Sequence, residues 1–143
     1  MAQPPTNPAG YSCTPLAKKL GIKAGSRVKL VGEPNSFVEL LEPIPDAVEF
    51  VEGPGEPADI TIVFCARTAD AVANIARLAR TVVDREMLWV AWPKRTSSMA
   101  SDLSEGYVRQ TGLDGGLVDV KVCAIDATWS GLKFVRRLAD RPR

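Results

Sequence analysis

Ile60-Thr61-Ile62-Val63-Phe64-Cys65 decides the fold class. One threonine stands among apolar residues, so the run lacks the in–out alternation of a strand with one wet face. Such segments are buried on both sides, as in a parallel sheet clad in helices. Thr68 can then cap a helix in which Ala71, Val72, Ile75, Leu78, Ala79 and Val82 recur with the 3.6 period. Arg77 and Arg80 fall on its polar side. Met87–Trp92 repeats the two-sided burial pattern, with Trp89 inside it as a core residue. Strand, helix and strand at this spacing form a right-handed crossover unit.

Upstream, Thr14 caps and Pro15 opens a short helix to Leu20, closed by Gly21. A strand follows over Arg27–Val31. Asn35 caps a second short helix over Ser36–Leu41, ended by Pro43 and Pro45, and Ala47–Val51 forms another strand. Downstream, Asp102-Leu103-Ser104-Glu105 matches a capping box for a helix that runs to Gln110 and stops at Gly112. Val118–Ile125 alternates, placing Val118, Val120, Val122 and Ala124 on one face. Leu132–Arg137 returns antiparallel to it through the loop Asp126–Gly131. The expected architecture is three-layer α/β, a mostly parallel Rossmann-like sheet ending in an antiparallel hairpin. Residues 1–10 read as a disordered leader, 11–138 as one domain and 139–143 as a basic tail.

Composition excludes several chemistries. The chain of 143 residues holds no histidine, so Ser-His-Asp and Cys-His catalysis and His-ligated metals lack a required part. Cys13, Cys65 and Cys123 form no metal-ligand spacing, and their odd number fits a reducing cytoplasm; no metal site is expected. No apolar run reaches the ~20 residues that span a bilayer, and a net charge of +1 argues for neither membrane nor nucleic acid as a partner. Charge is nevertheless uneven. Eight acids and no Lys or Arg lie between Glu33 and Asp59, whereas Lys133, Arg136, Arg137, Arg141 and Arg143 crowd the C-terminus as a solvated end.

In an open parallel sheet, ligands sit outside the carboxyl ends of the strands. Loops starting at Gly32, Ala66, Trp92 and Asp126 share that rim. They bring Arg67, Lys94, Arg95, Ser97, Ser98, Asp126, Trp129 and Lys133 to a candidate ligand-binding site, with Glu33 beside them. Cations, hydroxyls and one large ring suit an anionic small molecule with a flat portion. Against this, Trp129 can instead cover the open end of the core, and the loop charges can be solvated.

The turn after the first strand bears on cofactors. Dinucleotide and adenosylmethionine folds place several glycines there, so that backbone amides approach the ligand. Gly32-Glu33-Pro34-Asn35 has one glycine, an added negative charge and a proline without an amide donor. Glu52 lies 20 residues after Gly32, near the spacing of a ribose-binding acid. Gly32 and Glu52 are thus the cofactor-binding candidates, in a chain from which no cofactor is expected.

Several segments carry a family resemblance. Gly10-Tyr11-Ser12, Thr14-Pro15-Leu16, Lys19-Leu20-Gly21-Ile22 and Leu88-Trp89-Val90-Ala91-Trp92-Pro93-Lys94 resemble a bacterial family of small uncharacterised proteins, domain of unknown function family 3052. So do Gly116-Leu117-Val118-Asp119-Val120-Lys121-Val122 and Trp129-Ser130-Gly131-Leu132-Lys133-Phe134-Val135. The resemblance implies a bacterial cytoplasmic protein and supplies no activity. The layout is also similar to the core of class I methyltransferases, reduced in size.

The leading expectation is a non-catalytic module that binds a small anion or a protein partner. The alternative is a compact transferase using adenosylmethionine or a nucleotide, with a degenerate glycine loop and Asp126, Glu33 or Glu52 in acid–base or ribose contacts. A third is a structural subunit that pairs with another protomer through an edge strand at the Trp129 hairpin.

Overall fold

A computed structural model describes residues 15–52, 57–80, 82 and 86–136. The elements are α1 (Leu16–Lys19), β1 (Arg27–Val31), α2 (Phe37–Leu40), β2 (Glu49–Val51), β3 (Ile60–Phe64), α3 (Thr68–Ala79), β4 (Met87–Pro93), α4 (Glu105–Asp114), β5 (Leu117–Ala124) and β6 (Trp129–Arg136). They build a single six-stranded sheet in the order β2-β1-β3-β4-β6-β5. β2, β1, β3 and β4 run parallel, and β6 lies antiparallel between β4 and β5. The expected α/β sheet, mostly parallel with an antiparallel end, is the one observed.

Two-sided burial is complete where the sequence demanded it. All five residues of β3 are buried, and so are the last six of β4. One face packs Val63, Leu88, Val90, Trp92, Leu132 and Phe134 against α3 and α4. The other packs Ile60, Ile62, Phe64, Trp89 and Trp129 against α1 and α2, whose Ala17, Leu20 and Phe37 are buried. Trp89 Nε1 donates to the Leu20 carbonyl at 2.9 Å, which satisfies the one polar atom of a fully buried indole.

Several local expectations are corrected. Asp102 does not cap α4; Ser104 does, its hydroxyl accepting from the Tyr107 amide at 3.2 Å. Asp102 instead reaches α3, where its carboxylate accepts from the Thr68 amide at 2.8 Å and the Thr68 hydroxyl at 3.1 Å. A carboxylate satisfies orphan amides and the positive end of a helix better than the threonine's own hydroxyl. Gly112 does not stop α4. It is buried inside the helix, where a Cβ would overlap the Phe134 ring, so the missing side chain permits close helix–sheet approach. Thr14 and the basic residues from 137 onward lie outside the described residues. Arg136 is no solvated charge: its guanidinium donates to the carbonyls of Val82 at 2.7 Å and Ala79 at 2.9 Å, closing the C-terminal end of α3.

β5 departs from simple alternation. Val118 pairs with Val135 and Val122 with Leu132, positions of β6 that face opposite sides. A register shift between Asp119 and Lys121 therefore turns the two valines to different faces, as a bulge does. β6 begins at Trp129, three residues before its expected start, because the chain turns tightly at Asp126. Its carboxylate accepts from the Thr128 amide at 2.8 Å and the Trp129 amide at 2.7 Å.

Candidate functional site

The strand order reverses between β1 and β3: the chain leaves β1 toward β2, then crosses back to β3. α2 and α3 lie on opposite faces, so the loops leading to them diverge at the carboxyl ends of these two strands, the place where an open α/β sheet has its ligand crevice. Gly32 stands at that place, directly after β1. Its φ of +70° is one that side chains rarely adopt, and a Cβ there would stand 3.1 Å from the Phe64 carbonyl oxygen. The bare backbone is thus required twice over, by conformation and by contact with β3. Glu52 follows the last residue of β2, exposed beside the same rim, and Glu33 is exposed next to Gly32.

The other predicted residues divide. Lys94 lies on the rim, tied to the β5–β6 hairpin by its amide donating to the Thr128 carbonyl at 2.7 Å. Arg95 and Ser98 are exposed in the loop that follows, whereas the Ser97 hydroxyl is turned inward onto the Lys94 carbonyl at 2.8 Å. Arg67 precedes α3 and is exposed, close enough to Asp102 to favour its ionised form. Asp126 sits on the rim but is engaged in its own turn. Two residues do not join the site as expected. Trp129 is buried, its ring edge-on to Phe64 at 5.0 Å, while Phe64 in turn meets Phe37 at 4.8 Å. The indole therefore seals the core under the rim. Lys133 lies four residues along β6, on the face of the sheet rather than at its edge.

This aromatic trio of Phe37, Phe64 and Trp129 was not read from the sequence, since its members are separated by 27 and 65 positions and share no local period. Cys65 is buried beside the rim, and burial pushes its thiol up to about 11 despite a contact from the Asn74 amide. Burial likewise raises the Cys123 thiol, against the pull of Lys19, Lys121 and Lys94. Neither is an activated nucleophile. Among the described residues, no group of His, Cys, Asp or Glu could hold a metal ion. No helix there is long and apolar enough to cross a membrane.

The fold is similar to that of several solved proteins. A SAM-dependent methyltransferase from Aquifex aeolicus matches with a TM-score of 0.61 at 13% identity, over 83% of this chain and 86% of its own. Magnesium protoporphyrin IX methyltransferase from Synechocystis, solved with bound SAM, gives 0.57 at 15%, over 85% and 74%. Fibrillarin from Aeropyrum pernix, with natively bound S-adenosyl-L-methionine, gives 0.51 at 18%, over 84% and 73%. The fold is that of the S-adenosylmethionine-dependent methyltransferases. No family model and no curated protein matches the chain, so the resemblance to family 3052 gains no support from either. The leading expectation, a non-catalytic module for a small anion or a partner, is overturned: these structural neighbours favour the compact transferase held as its alternative.

Proposed function

We propose that the chain binds S-adenosylmethionine at the β1–β3 crevice and acts as a small methyltransferase. The observation that carries this reading is Gly32, bare backbone at the point where the strand order reverses, with Glu52 at the end of the neighbouring strand. Glu52 supplies carboxylate oxygens for ribose hydroxyls, the role an acid at this spacing plays in nucleotide-binding sheets. Gly32 lets the main chain approach the ligand.

Charge supports this cofactor over a dinucleotide. A pyrophosphate needs amide donors and positive potential. Pro34 removes a donor, and Glu33 and Glu52 add negative charge beside the crevice. A sulfonium nucleoside carries no phosphate and bears a cation, so the same two acids attract it. When bound, the sulfonium supplies an electrophilic methyl group. The chain's own contribution is then to bind and orient, with the ring of Trp129 and the Phe64 side chain closing the floor of the rim against water.

Titration calorimetry of the full chain with S-adenosylhomocysteine tests the reading. Saturable binding that is lost in Glu52→Ala is expected. Absence of saturable heat at millimolar ligand overturns it.

A further inference from the structure

Across the sheet from the crevice, one face of β5 and β6 sets two lysines against each other. Lys121 pairs directly with Lys133 across these two strands. Opposed side chains of one cross-strand pair stand roughly 5 Å apart at their Cβ atoms, and like charges there destabilise the sheet. Lys121 offsets part of its charge by donating to the Lys19 carbonyl at 3.3 Å. Lys133 is half-buried and, among the described residues, has neither an acid nor a hydrogen-bond acceptor. Burial and the Lys121 ammonium both push it toward its neutral form. Lys19 and Lys94 add to the cluster, since both, with Lys121, act on the Cys123 thiol two pairs nearer the rim.

Among the described residues, no acid pairs with Lys121 or Lys133. The described acids of the Glu33–Asp59 segment surround β1 and β2, at the other end of the sheet. Asp119 of β5 is held by Arg109 of α4 at 2.9 Å, on the opposite face with Phe134. α4 covers that opposite face, whereas among the described residues no helix packs broadly over the lysine face. A folded chain keeps two ammonium groups opposed and one of them half-buried only at a cost, which an anion placed between them removes.

We propose that this face, centred on Lys121 and Lys133, binds the phosphate or carboxylate groups of a small, elongated polyanion, with Lys19 and Lys94 at its ends. On the transferase reading above, that polyanion is the methyl acceptor. Lys94 stands on the rim and Lys133 four residues below the start of β6, a span of about 13 Å at strand rise. An acceptor anchored along this track presents its free end at the rim. Single-stranded nucleic acid fits less well, because it needs exposed rings for its bases. The exposed aromatic residues described, Phe50 and Tyr107, lie on β2 and α4.

Calorimetric titration with inorganic pyrophosphate, and separately with citrate, at constant ionic strength in chloride, tests the inference and separates phosphate from carboxylate preference. Saturable binding of at least one is expected, weakened about tenfold or more by Lys133→Gln and by Lys121→Gln. Lys18→Gln, on the exposed side of α1, leaves it unchanged. Thermal melts guard against misfolding: without anion, Lys133→Gln melts at or above the parent temperature because a like-charge contact is gone, and its anion-induced rise disappears. Binding of neither anion, or equal affinity in the variants and the parent, overturns the inference while leaving cofactor binding intact. Conversely, lysine-dependent anion binding in a chain that ignores S-adenosylhomocysteine supports the anion site and removes the cofactor reading instead.

Discussion

Replacing Gly32 by alanine separates strain from function when Gly25→Ala is measured beside it. Both glycines have positive φ, +70° and +80°, but Gly25 lies before β1, away from the carboxyl rim, and a Cβ there meets nothing within 4 Å. An L-residue in the left-handed region costs about 1–2 kcal/mol. Restricting the unfolded chain offsets about 0.4–1 kcal/mol of that. Gly25→Ala should therefore destabilise by roughly 0.5–1.5 kcal/mol. Gly32→Ala carries the same strain plus the contact with the Phe64 carbonyl at 3.1 Å, which must give by a few tenths of an ångström. That adds up to about 1 kcal/mol.

For 143 residues, an unfolding entropy of about 2.1 cal/mol/K per residue converts 1 kcal/mol into about 3 °C. The expected falls in Tm are then about 2–5 °C for Gly25→Ala and about 3–8 °C for Gly32→Ala. The discriminating measurement is the second melt, with S-adenosylhomocysteine at a hundred times its dissociation constant. Linkage predicts a gain of about 2.7 kcal/mol, or about 8 °C, in the parent chain and in Gly25→Ala. In Gly32→Ala the displaced loop no longer approaches the ligand, and the gain should vanish. If both variants keep the full rise, or both lose it, the crevice is not the cofactor site.

Other perturbations test individual supports. Gly112→Ala should lower Tm by about 3–6 °C, because overlap with the buried Phe134 ring outweighs about 1 kcal/mol of gained helix propensity; a rise in Tm would show that the helix had room to move away. Trp129→Ala should cost about 3–5 kcal/mol, or roughly 9–15 °C, by opening a cavity beside Phe64, and a loss below 1 kcal/mol would place the indole outside the core. The Thr68 amide holds the Asp102 carboxyl below the ordinary value of 3.8, so its contribution is present above that pH and lost as pH falls through the lowered folded value. The stability difference between the parent and Asp102→Ala, followed by urea unfolding, should be flat at neutral pH and shrink under acid. Cys65 behaves in the opposite sense. Its folded value of about 11 exceeds the ordinary 9.0, so its stabilising effect is complete below pH 9.0 and disappears as pH rises through about 11. Cys65→Ala should flatten that alkaline decline in a pH series of thermal melts.

What the sequence disclosed, and what it hid, follows from the range of the interactions. β3 and β4 were legible because burial on both faces leaves an unbroken apolar run, a signal each strand carries by itself. That Gly32 directly follows β1 and Glu52 directly follows β2 was legible in the same way, from segments read along one chain. Gly112 was not, since a glycine that ends a helix and one that lets a helix approach a sheet are the same letter. Asp102 matched a local capping box, yet its partner is Thr68, 34 positions away, and Ser104 took the local role. Lys121 and Lys133 could be paired only once the turn at Asp126 was known, because it sets the register that runs from Ala124 and Ser130 to the two lysines. Trp129 was open to two readings, a ring at the rim or a cover for the end of the core, and the Asp126 turn, which starts β6 before Leu132, buries the indole as a cover.

Strand order alone does not choose a cofactor, since pyrophosphates and sulfonium nucleosides both occupy the crevice where such a sheet reverses. Charge separates them. Glu33 and Glu52 stand exposed at the carboxyl ends of β1 and β2, whereas Lys121 and Lys133 oppose each other on β5 and β6, so the two places differ in local charge. A cationic donor at the acidic end and an anionic acceptor along the basic end each meet complementary potential, and neither competes for the other's place. Reversing the sign at the crevice should expose this division. In Glu33→Lys combined with Glu52→Gln, binding of S-adenosylmethionine, whose sulfonium carries the positive charge, should be lost while pyrophosphate bound by the Lys121–Lys133 pair keeps its affinity within about twofold, the two sites being farther apart than the screening length of about 8 Å at physiological salt. A parallel loss of both would mean that one ligand, rather than two, spans the rim.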